Sequence, residues 1–174
     1  MEQLIQLNSN AKLSEHLASP SEAELSNLSE LNCVRLSPHF TLGEFTKSGS
    51  HPEVYNIPSH EAIGNLKRLC GWLEVLRKRY NEPIRINSGY RSPQLNKKIG
   101  GTPSSNHLTG CACDIRVSGM EQALRYAVIL LDYADETKQE FDELLIERNR
   151  YGAMWLHFAV RPANNRRKVM FIAG

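Results

Sequence analysis

The stretch Ser104–Ile115, "SSNHLTGCACDI", sets His107 and Asp114 seven residues apart, with Gly110 and two cysteines between them. Its first half reads as a loop. Its second half runs on as "CACDIRV", an alternating series of β-compatible residues. Gly110 lets the chain turn at φ values that other residues avoid. A loop histidine and a strand aspartate can therefore converge on one point. Imidazole nitrogen and carboxylate oxygen are suitable zinc donors. Taken alone, the pair fits a buried turn and strand equally well.

Upstream, "SHEAIGNLKRLCGWLEVLRKRY" places Ile63, Leu66, Leu69, Leu73 and Leu76 at helical spacing. Ser59 is the expected N-cap, and Lys78 and Arg79 suit the negative end of the helix dipole. "EPIRINSGYRS" gives a short strand, Ile84 to Asn87, and then a turn. "SPQLNKKIGG" is a short helix stopped by Gly100 and Gly101. Downstream, "SGMEQALRYAVILLDYADET" is a second long amphipathic helix. "FDELLIER", "NRYG" and "AMWLHFAV" form a β-hairpin, and "RRKVMFIAG" supplies a last strand. The order predicts an α+β domain, a small antiparallel sheet flanked by helices. Residues 1–36 contain no Phe, Trp or Tyr and are rich in Ser, Glu, Asn and Leu. They read as an N-terminal extension, with a helix starting at Ser19 or Ser21. Residues 37–174 form the main domain, opened by a loop and short helix in Ser37–Gly49.

The chain of 174 residues, 41% hydrophobic and 23% charged, is long enough for one domain with its own core. A net charge of +2 without a basic stripe gives no argument for a nucleic-acid partner, and none is expected. No apolar run reaches the length of about 18 residues that a membrane span needs. "MEQLIQLNSN" has neither a basic start nor a long apolar stretch, so no signal peptide is visible. The compartment stays open between the cytoplasm and a phage-type release to the cell wall. Four irregularly spaced cysteines fit reduced thiols in a monomer better than a disulfide scaffold. Cys111 and Cys113 alternate with Asp114 and so belong to the back of the strand.

Three further motifs occur in order: "SGYRS" (Ser88–Ser92), the pattern SxHxxGxAxD (Ser105–Asp114) and WxH (Trp155–His157). Together with "FTLGEFTKS" and "NLKRLCGWLEVLR", they make residues 38 to about 162 resemble the peptidase M15 family. These are zinc D-Ala-D-Ala carboxypeptidases and peptidoglycan endopeptidases with a hedgehog-like fold. The resemblance implies one zinc ion held by His107, Asp114 and His157. It implies that Arg91 binds a substrate carboxylate, for which a guanidinium fork is suited. It gives Ser105 a hydrogen bond to substrate, where a loop-capping role is the plain alternative. Trp155 lines the cleft or serves as a core tryptophan.

A zinc peptidase also needs a carboxylate general base. Many relatives place an acid three residues before the last ligand, where this chain has Met154. Strand alternation puts Glu143, Leu145 and Glu147 on one face, and Trp155, His157 and Ala159 on one face of the partner. Pairing Glu147 with Trp155 would aim Glu147 to the side of His157, and a one-residue slip would reverse it. The resemblance, whose members often carry a glutamate at the end of a strand like "FDELLIE", makes Glu147 the expected base, with Asp142 second. The expected function is a zinc-dependent hydrolase cutting peptidoglycan stem peptides, of carboxypeptidase or endopeptidase type. The alternative, favoured by Met154, is a non-catalytic zinc-holding module that binds cell-wall peptides or a protein.

Overall fold

A computed structural model describes residues 33–174. Most of the expected extension, including the helix start at Ser19 or Ser21, lies outside the described residues. Its last residues already belong to the domain: Arg35 bridges to Thr41, and Leu36 joins the core. The short helix α1 (Leu42–Thr46) follows, capped reciprocally by Thr41 and Glu44.

The long helix is α2, His60–Tyr80. The Ser59 hydroxyl accepts the Ala62 N–H, and Asn81 ends the helix in the left-handed region. Leu66, Leu69, Leu73 and Leu76 are fully buried, as their spacing requires. After β1 (Ile86–Ser88) comes α3 (Pro93–Lys98), then a 3-10 turn at Asn106–Thr109 and β2 (Ala112–Arg116). Helix α4 (Met120–Thr137) packs beside α2 through edge-on aromatic pairs, Tyr80 with Tyr126 and Trp72 with Tyr133. The hairpin is β3 (Glu143–Arg148) and β4 (Met154–Ala159), and β5 (Lys168–Ala173) closes the order.

The five strands lie in the order β1-β2-β4-β3-β5. The architecture is α+β, as the element pattern implied. The sheet is nevertheless mixed, because β5 runs parallel to β3. The reason lies in the segment after β4. It passes across the start of β3, where the Arg167 and Lys168 N–H groups donate to the carbonyls of Phe141 and Asp142. β5 therefore begins level with Glu143 and runs alongside it.

Period-two alternation divides the sheet into two faces. Cys113, Ile115, Leu144, Ile146, Leu156 and Phe158 join the core with the helices. Asp114, His157, Leu145, Glu143, Glu147 and Trp155 share the opposite face, as the pairings Asp114↔His157, Leu145↔His157 and Glu147↔Trp155 require. The four cysteines are free, and burial holds the Cys113 thiol well above its ordinary pKa. β5 carries four consecutive large apolar side chains, Val169 to Ile172, each 38–51% exposed. Among the described residues, no helix is long and apolar enough to cross a membrane.

Candidate metal centre

The loop that carries His107 is tied down on several sides. Ser105 caps the 3-10 turn by accepting the His107 N–H at 3.3 Å. Gly110 closes the turn at φ 71°, and a Cβ there would meet the Ala62 carbonyl oxygen at 2.5 Å. Asn65 of α2 donates to the Thr109 carbonyl. The loop thus lies directly on α2, an approach that only glycine permits. On its other side, His107 Nδ1 is 2.5 Å from the Gly89 carbonyl. A carbonyl only accepts, so Nδ1 carries a proton, which leaves Nε2 as the nitrogen that could ligate an ion.

That nitrogen points to Asp114, with Nε2 3.3 Å from Oδ1. Asp114 on β2 faces His157 on β4 directly, and His157 Nδ1 is 2.9 Å from the same oxygen. The three residues are buried, and each offers a ligand atom within 4.8 Å of the others. Burial would raise the Asp114 carboxyl, but the two imidazoles hold it far below the usual carboxylate range. Burial also pulls His157 down, and Asp114 and Glu143 more than offset this, raising its pKa to about 9. Two imidazole nitrogens and a carboxylate oxygen, converging in a buried spot, fit a zinc ion with one coordination position to spare.

Arg91 anchors the second Asp114 oxygen, with Nη2 2.6 Å from Oδ2, while Nε donates to Ser88 Oγ at 3.0 Å. Its backbone N–H donates to the His107 carbonyl. The "SGYRS" segment therefore holds two of the three candidate ligands, through the Gly89 carbonyl and the Arg91 side chain. Partners of this kind orient ligands and tune the metal they bind. Ser105 fills the capping role just described.

The acidic residues separate clearly. Glu147 pairs with Trp155, in the register that aims it to the His157 side, and it is half-buried. Asp142 is fully buried inside a cationic cage. Arg166 forks onto both oxygens at 2.8 and 2.7 Å, Arg161 Nε lies 3.0 Å from Oδ2, and Asn106 donates at 2.7 Å. Burial raises its carboxyl, yet Arg166 and Asn106 lead the partners that bring it below the ordinary value. With its lone pairs committed, Asp142 ties the 161–167 segment to the sheet. Met154 packs against the core among the helix-facing residues of β4. In a regular strand, a residue three before His157 points to the opposite face. Met154 therefore removes no group from this site.

Strand alternation alone places Glu143 on the site face, and the fold supplies the partners that give it a role. Its Oε2 is 3.5 Å from His157 Nε2 and accepts from Asn106 Nδ2 at 2.9 Å, while Arg166 Nη2 sits 2.8 Å from Oε1. His157 first, and then Arg166 and the Asn106 amide, hold the carboxyl at about 2 against burial. Trp155 is half-buried on the same face, and its indole N–H is buried without an acceptor.

Residues 38–143 match the family Peptidase M15. The matched range contains His107 and Asp114 and ends before His157. Among solved structures, the Serratia marcescens L-Ala D-Glu endopeptidase ChiX aligns at 18% identity, covering 64% of this chain and 95% of that chain, with a TM-score of 0.39. No curated protein matches the sequence.

Proposed function

Because the chain belongs to the Peptidase M15 family, we propose that it is a zinc-dependent hydrolase of peptide bonds in peptidoglycan stem peptides. The observation that carries this reading is the convergence of His107, Asp114 and His157 within 4.8 Å on one buried spot. Bound zinc would supply Lewis acidity, which acidifies water and polarises a carbonyl.

The chain's own groups would do the rest. Glu147 stands on the site face and is half-buried, so it can take a proton and return it to the leaving amine. Arg91 spends Nη2 on Asp114 and Nε on Ser88, which leaves Nη1 as the donor for a substrate carboxylate. The Ser105 hydroxyl oxygen accepts one N–H and keeps its own proton to donate to a substrate carbonyl. Trp155, beside Glu147 in the pairing, offers an apolar wall.

The alternative of a non-catalytic binding module rested on Met154. That residue lies on the helix-facing side of β4 and no longer argues for it. Mass spectrometry of a muropeptide digest, with and without chelator, tests the proposal. New cleavage products that vanish on chelation are expected, and their masses distinguish a trimmed terminal residue from a cut cross-link. Intact muropeptides in the zinc-supplemented reaction would overturn it.

A further inference from the structure

His157 lies between two carboxylates. Its Nδ1 is 2.9 Å from Asp114 Oδ1, and its Nε2 is 3.5 Å from Glu143 Oε2. A neutral imidazole has one lone pair, so only one of these nitrogens can face an ion while the other keeps its proton. The nitrogen facing Asp114, and with it the candidate ion position, is Nδ1. A carboxylate beside Nε2 favours the proton there and so keeps the Nδ1 lone pair open.

Glu143 is itself fixed by groups from two other segments. Arg166 reaches Oε1, and Asn106 donates to Oε2. Both also hold Asp142: Arg166 forks onto it, and Asn106 donates to its Oδ2. Arg161 Nε completes the ring by donating to Asn106 Oδ1 at 2.9 Å. Asn106 directly precedes His107. One polar cluster thus connects the segment after β4 to both histidines of the centre.

We infer that Glu143 is a positioning residue for the metal centre. It accepts the His157 Nε2–H and so presents Nδ1 to the ion, while Arg166 and Asn106 keep the Glu143 carboxylate in place. This inference rests on the zinc reading above.

The test uses the full chain and zinc alone, by competition titration against a chromogenic chelator. E143M keeps a side chain of similar volume without an acceptor, and it should weaken zinc binding roughly 10–100-fold. E143Q keeps a neutral acceptor and should recover most of that loss, a rescue that a merely space-filling role would not produce. Nitrogen-detected NMR of the zinc-loaded wild type should find the His157 proton on Nε2, and this readout stands even if a variant folds poorly. A wild type coordinating zinc through Nε2, or an E143M affinity equal to wild type, overturns this inference alone. A wild type that takes up no zinc overturns the peptidase reading and this inference with it.

Discussion

Asp114 and His157 are direct cross-strand partners on β2 and β4, and one Asp114 oxygen lies 2.9 Å from the imidazole Nδ1. The same oxygen is 3.3 Å from His107 Nε2, so a single carboxylate faces both histidines. Two strands and a capped loop thereby fix the donors before any ion arrives. Replacing either His107 or Asp114 by alanine should abolish stoichiometric zinc uptake. Elemental analysis that finds a full zinc complement in both variants would remove the site.

Glu147 lies on the same face of the sheet as His157, and its charge acts on that imidazole. Glu147→Gln should retain zinc and the fold but lower turnover by about 10²–10⁴-fold, the usual contribution of a general base. Steady-state rates on purified muropeptides measure this. Unchanged turnover would take Glu147 out of the mechanism.

Gly110 combines φ 71° with a 2.5 Å approach to the Ala62 carbonyl oxygen. Gly110→Ala meets both penalties at once. The left-handed conformation alone costs about 1–2 kcal/mol for a residue with a Cβ. The contact with α2 backbone adds to this and lifts the His107 loop. A lowered thermal midpoint together with weaker zinc binding is expected. A variant that matches wild type in both would show that the loop tolerates displacement from α2.

The acid side of the stability profile should carry the imprint of Asp142 and Glu143. Cationic and histidine partners hold both carboxyls below their ordinary values in the folded state. Their contribution is therefore present above the unfolded pKa and lost as pH falls through the folded one. For Glu143 the window runs from 4.5 down to about 2. Urea midpoints of metal-free protein should drop across this window, and Glu143→Gln should flatten the drop. Parallel profiles for wild type and variant would dissociate Glu143 from acid sensitivity.

Local rules made much of this molecule legible. The α2 periodicity, the Ser59 cap and the hairpin each follow from residues close in sequence, whereas the register that pairs Glu147 with Trp155 was one of two that alternation left open. The direction of β5 did not follow, because it is set where the Arg167 and Lys168 N–H groups meet the Phe141 and Asp142 carbonyls, far back along the chain. Nor did the place of Glu143, which depends on which His157 nitrogen faces Asp114. Met154 stands three residues before His157 and therefore on the other face of β4, which its position along the chain does not by itself reveal. Arg91 could be matched to a motif, but its bond to Asp114 joins residues 23 apart in the chain and needed the fold to be seen.

The last strand has a practical consequence. β5 pairs with β3 along one edge, and Val169, Met170, Phe171 and Ile172 expose apolar surface on both of its sides. Sheet proteins ordinarily blunt such a margin with charge, a bulge or proline. Here Arg167 and Lys168 guard only the entrance to the strand. Among the described residues, this margin is where concentrated stocks should clump, and one lysine placed at Phe171, away from the face that carries His157, is the change by which to lengthen their shelf life.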